Sequence, residues 1–370
     1  MNRVSPALRG PDSSTDSHKK SATGHTQMNR NEPIVLVTGG AGYVGAVLVP
    51  KLLQAGWRVR VLDWYLYGRD VLDDVADDPR LEQHEGDLRD PDLVARRLRD
   101  CRAVVHLACI SNDPSSDLNP ALTRSVNLDA FAPLVHAARD AGVRRFVYAS
   151  SSSVYGISDR PIVDEDHPLA PLTDYSRYKA WCEPILLEQQ SPSFVPVIVR
   201  PATVCGASPR QRFDVVVNLL TAHAACRGQV TVFGGRQMRP NLHIEDMTDL
   251  YVQLLSETDE RVAGEIFNVG AENLAVADIA QRIRDAARGQ RRCLPIVTRP
   301  TEDERSYRIS SDRIKRHLGF VPRRTVDDAI ADVLAALREG RFPGATDDPR
   351  YHNVRMMAHH QHQLMEPATV

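Results

Sequence analysis

The chain has 370 residues, of which 42% are hydrophobic, so it can form one large domain or two of ordinary size and is not a disulfide-stapled miniprotein. The formal charge is −2, whereas nucleic-acid-binding domains usually carry a basic excess, so we expect no nucleic-acid partner. No apolar run reaches the roughly 18 residues of a membrane-spanning helix, and the cysteines include no C-x-x-C pair. The composition therefore predicts a cytoplasmic protein without a membrane or metal partner.

The amino-terminal segment, residues 1–32, is predicted to be a disordered extension. It is rich in polar residues and lacks the apolar stretch of a signal peptide. Met28 is followed by Asn-Arg-Asn, which echoes the Met1-Asn-Arg opening. Translation could therefore start at either methionine.

From residue 33 onward, short β-branched runs alternate with longer amphipathic stretches, which is typical of βαβ units. Helical patterns cover Pro91–Asp100 and Leu118–Ala141. Six strands are predicted, at Ile34–Val37, Arg58–Leu62, Leu81–Glu85, Ala103–Ala108, Arg145–Ser150 and Val195–Arg200. This order predicts an α/β fold, a Rossmann-type doubly wound parallel sheet with a smaller C-terminal substrate-binding domain.

After residue 200 the pattern loosens, with turn glycines, a strand-like run at Glu265–Val269 and a helical pattern at Val326–Arg338. The final residues contain prolines and several histidines, and we expect a flexible tail rather than a metal site. The predicted organisation is a Rossmann domain over 33–203 and about 241–270, a substrate-binding domain over 204–240 and 271–340, and a C-terminal tail over 341–370.

A glycine-rich loop follows the first predicted strand, with glycines at 39, 42 and 45 around Tyr43 and Val44. Glycine permits a sharp turn and a close backbone approach to a pyrophosphate at a helix N-terminus. Asp63 ends the next strand about 20 residues later, where a carboxylate can accept from both hydroxyls of an adenosine ribose and would repel a 2′-phosphate. The pattern predicts an NAD site rather than an NADP site.

A second pattern, Tyr175-Ser176-Arg177-Tyr178-Lys179, places a tyrosine and a lysine on one face of a predicted helix. Ten tyrosines and five lysines in this length give only about 0.14 chance matches to Tyr-x-x-x-Lys. A nearby ammonium favours the phenolate, so Tyr175 can take a proton from a substrate hydroxyl as hydride leaves for a nicotinamide. A serine from the preceding Ser150–Ser153 run can bind the same oxygen.

Together these motifs resemble the extended short-chain dehydrogenase/reductase family, in its nucleotide-sugar epimerase and dehydratase group, over about residues 33–335. The resemblance implies that the loop residues Gly39, Gly42, Tyr43, Val44 and Gly45 bind NAD and that Asp63 holds its adenosine ribose. It further implies cofactor contacts from Asp87, Leu88, Leu107 and Ala108, from Lys179 on the nicotinamide ribose, and from Tyr175.

The resemblance also implies the catalytic residues Ser151, Tyr175 and Lys179, with Ser151 preferred to its serine neighbours on register alone. The 4,6-dehydratases of the group carry Asp-Glu directly after that position, where this chain has Ser152 and Ser153. We therefore expect a C4 epimerase acting through a 4-keto intermediate. A 4,6-dehydratase or a 4-ketoreductase is the alternative, and a non-catalytic NAD-binding regulatory protein is a remote one.

The nucleotide end of the substrate is less clearly marked. By the resemblance, the segments Cys205–Asn218 and Arg236–His243 would contact a nucleotide diphosphate sugar. Arg239 and Arg305 are the phosphate candidates because a guanidinium binds phosphate oxygens in a bidentate way. Thr203 stands where many relatives have an asparagine that reaches the diphosphate. The resemblance further implies a homodimer.

Overall fold

The computed structural model describes residues 32–158, 160–287, 294–301, 306–360 and 364. The predicted N-terminal extension thus lies, except for Glu32, outside the described residues. The strands are β1 (Ile34–Thr38), β2 (Arg58–Asp63), β3 (Leu81–Glu85), β4 (Cys101–His106), β5 (Arg145–Ala149), β6 (Val195–Pro201), β7 (Thr203–Cys205), β8 (Val230–Phe233), β9 (Met238–His243), β10 (Ile266–Val269), β11 (Glu272–Ala275) and β12 (Ile296–Arg299).

The helices alternate with these strands in the first half of the chain. They are α1 (Gly45–Gln54), α2 (Pro91–Leu98), α3 (Asp113–Leu118), α4 (Pro120–Arg124), α5 (Phe131–Asp140), α6 (Asp174–Leu187), α7 (Val216–Ala222), α8 (Ile244–Ser256), α9 (Asp259–Val262), α10 (Val276–Ala287), α11 (Asp312–Leu318), α12 (Val326–Arg338) and α13 (Asn353–His360). No helix within the described ranges is long and apolar enough to cross a membrane.

The main sheet has seven parallel strands in the order β10-β6-β5-β4-β1-β2-β3. The predicted doubly wound α/β architecture is confirmed. The strand order reverses between β1 and β4, and in open α/β sheets the crevice beyond the carboxyl ends at such a point is where ligands bind. In that crevice lie the glycine-rich loop after β1 and the segment after β4.

Hydrophobic side chains cover both faces of this sheet, as expected for buried parallel strands. All five residues of β1 are buried. On one face Val35 and Val37 belong to a core with Leu48 of α1 and Leu250 of α8. On the other face Leu36 packs in a core with residues of α5 and β4. The two cores fix the carboxyl ends of the strands relative to the helices that follow them.

The smaller region forms its own core from α7, α10 and α12, around Val217, Ile279 and Ile330. Its sheets are the three-stranded β11-β9-β7 and the two-stranded β12-β8. Strand β9 extends to His243 and pairs with β7 and β11, so the chain returns to the Rossmann region with α8, which packs on α1.

The single long helix predicted over Leu118–Ala141 is wrong. The segment contains the end of α3, then α4, a π-helical turn at Ser125–Asp129, and α5. Asn119 has the non-helical angles φ −149° and ψ 88°, and its side chain accepts from the backbone N–H of Leu122. Pro120 then starts the next helix, because proline is tolerated in the first turn but not in a helix interior.

The C-terminal tail predicted over 341–370 is also wrong for residues 341–360, which we call the C-terminal arm. Phe342 and Tyr351 pack against Phe213 with ring centroids 5.6 and 5.7 Å apart. The backbone N–H of Phe213 donates to the carbonyl of Tyr351 at 2.8 Å. Helix α13 follows and buries Met356 and Met357. The arm is therefore an ordered part of the fold.

Candidate active site

The glycine-rich loop turns tightly at the end of β1. Gly39 has φ +74°, and a Cβ atom on it would lie 2.7 Å from the backbone nitrogen of Ala108. A Cβ atom on Gly45 would lie 2.5 Å from the carbonyl oxygens of Gly39 and Gly40. These positions accept only glycine without a shift of backbone. The loop thereby brings bare backbone to the N-terminus of α1, where N–H groups and the helix dipole favour a phosphate.

Asp63, at the end of β2, is held by two backbone donors. Its carboxylate accepts from the N–H of Ala41 at 3.0 Å and from the N–H of Tyr65 at 2.8 Å. Burial raises the pKa of Asp63, and these two N–H groups together with the Arg210 charge act against that rise. The carboxylate is thus fixed next to the glycine-rich loop, as a ribose-binding acid must be.

One cleft runs from this loop to α6, and the sequence-predicted cofactor residues meet in it. The residues of that prediction that line the cleft are Gly39, Gly42, Tyr43, Val44, Gly45, Asp63, Asp87, Leu88, Leu107, Ala108, Tyr175 and Lys179. The tight glycine cradle and the fixed carboxylate fit a dinucleotide with an unmodified adenosine ribose. The role of each residue remains a prediction.

Helix α6 presents the tyrosine and lysine pair. Its start is fixed by a capping box between Thr173 and Ser176, which places Tyr175 in the first turn. Lys179 follows one turn later, is 4% exposed, and donates to the carbonyl oxygen of Ala149 at 2.7 Å. Its Nζ atom lies 5.9 Å from the centre of the Tyr175 ring. The end of β5 therefore orients the lysine beside the phenol.

The pKa of Tyr175 is set by opposing effects. Burial raises it, with Cys109 and Asp113 adding to the rise, while the Arg212 charge and a hydrogen bond with the Ser151 side chain lower it. The net direction is upward, so the expectation that Lys179 brings the phenol toward ionisation is not met by the protein groups alone. A bound group that carries positive charge would lower the pKa of the phenol and favour the phenolate.

The four consecutive serines after β5 have different partners. Ser150 donates to Glu183 at 2.6 Å, and Ser152 lies 3.3 Å from the Tyr307 hydroxyl. Ser153 pairs with Ser151 at 2.9 Å. Of the four, Ser151 is the one whose side chain lowers the pKa of Tyr175 through a hydrogen bond. Ser150 is the one that lines the cleft, so the choice of Ser151, made in the sequence on register alone, stays a prediction.

The predicted substrate residues lie elsewhere or cannot be placed. Thr203 begins β7, and Arg239 lies on β9, where it donates to the carbonyl of Met238 at 3.1 Å. Neither belongs to the described lining of the cleft. Arg305 lies outside the described residues. Their contacts with a nucleotide diphosphate stay predictions.

Among the lining residues that sequence reasoning missed are Arg210, Arg212, Asn353 and Met357. The two arginines fall in the segment already assigned to nucleotide contacts, but nothing distinguished them among so many arginines. Asn353 and Met357 fall in the segment expected to be a tail. Hydrophobic spacing around Tyr351 and Met356 was the available signal for order in that segment.

The described residues contain no group of three histidine, cysteine or acidic side chains arranged to hold a metal ion. A buried ion pair lies next to Ser150, directly after β5. Glu183 and Arg200 are 2% and 3% exposed and meet at 2.6 Å, and Arg200 also donates to the Tyr155 hydroxyl at 2.8 Å. The Ser150 hydroxyl joins this pair through Glu183, so the pair supports the strand end that carries Ser151.

Comparison with known proteins agrees with this geometry. A family model described as the NAD dependent epimerase/dehydratase family matches residues 35–270. A UDP-glucose 4-epimerase from Lactobacillus helveticus is 29% identical over 322 residues, which cover 80% of this chain and 94% of that protein.

Solved structures match over a similar extent. A dTDP-glucose 4,6-dehydratase from Streptomyces venezuelae, solved with NAD bound, has a TM-score of 0.75 and 27% identity, covering 86% of this chain and 99% of that one. A protein named MoeE5, solved with UDP-glucuronic acid and NAD, has a TM-score of 0.72 and 28% identity, covering 83% of this chain and 99% of that one.

Proposed function

Because the chain belongs to the NAD-dependent epimerase/dehydratase family, we propose that it is a nucleotide-sugar epimerase that inverts C4 through a transient 4-keto intermediate. The observation that carries the proposal is the position of Tyr175 beside Lys179 in the cleft of the glycine-rich loop, with no carboxylate at the two positions after Ser151. The relatives named as an epimerase, as a dehydratase and as a binder of a UDP-sugar support the substrate class.

Tyr175 takes the proton of the C4 hydroxyl during oxidation and returns it after the keto sugar has rotated in the site. Ser151 holds the same oxygen and, by its hydrogen bond, favours the phenolate. Lys179 is fixed by the Ala149 carbonyl at a position where its charge faces the phenol. When bound, NAD supplies the hydride acceptor and a positively charged ring that lowers the pKa of the phenol further.

Dehydration is disfavoured by the two residues directly after Ser151. Expelling a C6 hydroxyl requires a general acid and a base at C5. Ser152 contacts Tyr307 and Ser153 contacts Ser151, and a serine hydroxyl performs neither task well near neutral pH. A 4-epimerase needs only the oxidation machinery and room for the keto sugar to rotate.

Incubation of the purified protein with UDP-glucose, UDP-glucuronic acid and dTDP-glucose tests the proposal, with products analysed by mass and proton NMR. A product of unchanged mass with inverted C4 supports it. Loss of one water identifies a dehydratase, and stoichiometric consumption of a nicotinamide identifies a ketoreductase. Binding of NAD with no product from any of the three sugars supports the regulatory alternative.

We further propose a cytoplasmic homodimer. Trp181, on α6, is 52% exposed, and aromatic residues are enriched at protein–protein interfaces relative to the rest of the surface. Light scattering of the purified protein measures the assembly, and a monomeric mass at micromolar concentration contradicts it.

A further inference from the structure

Arg210 is a buried cation whose hydrogen bonds are incomplete. It is 3% exposed, its guanidinium lies 3.5 Å from the centre of the Tyr67 ring, and its Nη2 atom donates to the side-chain oxygen of Asn353. Its Nε and Nη1 atoms are buried and have no hydrogen-bond partner among the described residues. Because unmatched buried donors are costly, and more so when charged, these two atoms point to a ligand.

The cleft itself supplies the place for that ligand, since Arg210 is part of its lining. The segment around Arg210 is tied to the glycine-rich loop. The Ser208 hydroxyl donates to the carbonyl of Tyr43 at 2.8 Å, and the Tyr43 hydroxyl donates to the carbonyl of Gly206 at 2.8 Å. The Arg210 charge also acts on Asp63. The guanidinium therefore lies in the same cleft as Asp63 and next to a segment tied to the loop, where the adenosine diphosphate is predicted to bind.

Asn353 connects this arginine to the C-terminal arm. Its side-chain nitrogen donates to the Ser111 hydroxyl at 2.7 Å, and its backbone N–H donates to Asp214 at 3.0 Å. Asp214 also accepts from the Asn112 side chain at 3.0 Å. One helical turn later Met357 packs with Ile110 and lines the same cleft. The arm thus reaches the cleft through a fixed set of polar contacts.

We infer that Arg210 binds a phosphoryl oxygen of the NAD diphosphate and that Asn353, from the C-terminal arm, positions its guanidinium. The inference rests on the proposed function, in which the cofactor is regenerated in every turnover. Such an enzyme does not need to exchange its cofactor between turnovers. Contacts that slow the release of NAD therefore favour the reaction. Asn353 is a positioning residue and Arg210 a binding residue.

The test measures retention of NAD by the full-length holoprotein after gel filtration, as a function of time. Arg210→Met and Asn353→Ala each release NAD about 10- to 100-fold faster, as expected for loss of a charged hydrogen bond. His359→Ala, which removes an exposed side chain on the same helix, leaves the release rate unchanged. Unchanged release in both Arg210→Met and Asn353→Ala overturns the inference.

Asn353→Asp separates positioning from general loosening of the arm. It keeps an oxygen for Arg210, so its release of NAD stays close to that of the unmodified protein. Equally fast release from Asn353→Asp and Asn353→Ala overturns the positioning role. Circular dichroism checks that each variant is folded, and Arg210→Gln, which also removes the charge, replaces Arg210→Met if the latter does not fold.

The substrate also contains a diphosphate, so a second titration distinguishes the two sources. Uridine diphosphate is titrated into NAD-loaded protein. If Arg210→Met binds uridine diphosphate more weakly but releases NAD at an unchanged rate, the arginine binds the substrate and the inference is overturned. If the unmodified protein does not bind NAD at all, the proposed function fails, which is a result distinct from any difference between the variants.

Discussion

The cleft has two sides that are built in different ways. The sheet side includes the glycine-rich loop, Asp63, Tyr175 and Lys179, which lie at the carboxyl ends of β1 and β2 or on α6. The cap side consists of Arg210, Arg212, Asn353 and Met357, which come from two segments about 140 residues apart. On the sheet side, local motifs place the groups and backbone makes most of the contacts. On the cap side, side chains from distant segments hold one another.

This difference suggests a division of labour. By the proposed function the sheet side carries the proton transfer, and by our inference the cap side holds the bound dinucleotide in place. Arg212 links the two, since it is bound by Asp214 on the cap side and lowers the pKa of Tyr175 on the sheet side. The variants below act on the sheet side alone and therefore test whether the two roles are separable.

Tyr175→Phe is expected to have the largest effect. Removing the phenol hydroxyl removes the general acid and base, so the turnover rate falls by about 100- to 10,000-fold. NAD is expected to stay bound, because the loop, Asp63, Lys179 and the cap side keep the other contacts predicted for it. The measurement compares turnover with the NAD content of the purified protein. Loss of NAD together with turnover shows that the two sides are not separable, and full activity contradicts the assignment of Tyr175.

Glu183→Gln tests whether the buried ion pair between Glu183 and Arg200 stabilises the fold. Breaking the buried pair leaves Arg200 without a full counter-charge, which typically costs about 3–5 kcal/mol. The control is Asp140→Asn, which breaks the exposed pair with Arg139 and costs about 0–1 kcal/mol. Urea unfolding gives both free energies. Similar small losses in the two variants show that the buried pair does not stabilise the fold.

Gly39→Ala tests the backbone cradle, with Gly56→Ala as its control at the other end of α1. Both glycines have positive φ, +74° and +87°, but a Cβ atom on Gly56 meets nothing within 4 Å. We expect Gly56→Ala to cost about 1–2 kcal/mol from backbone strain. Gly39→Ala adds the clash with Ala108, about 1–3 kcal/mol more, and lowers NAD content. Equal losses in stability and equal NAD content contradict a space requirement at Gly39.

The contrast between the sides also explains what the sequence predicts. The strands of the main sheet, the glycine-rich loop, Asp63 and the tyrosine-lysine pair each follow from patterns within a short window. The break at Asn119 depends on one capping side chain, so periodicity over Leu118–Ala141 missed it. The arm and Arg210 depend on contacts over more than a hundred residues, such as that of Arg210 with Asn353, and no local pattern encodes these.

The last expected effect appears only at acidic pH and concerns His106 at the end of β4. Burial, helped by the Lys179 charge, lowers the pKa of His106 to about 3, and its ring pairs with the Thr38 hydroxyl at 2.7 Å. Because the folded-state pKa lies below the unfolded value of about 6.5, this histidine favours the folded state above that pH. The contribution is lost as the pH falls from about 6.5 toward 3, by at most about 1.4 kcal/mol per pH unit.

Urea unfolding across this range should give a flatter pH dependence for His106→Gln than for the unmodified protein, whereas His136→Gln, at an exposed position of α5, changes nothing. If the unfolding free energy of His106→Gln depends on pH as steeply as that of the unmodified protein, the protons taken up on unfolding bind to other groups. His106 then contributes nothing to the acid sensitivity of the fold.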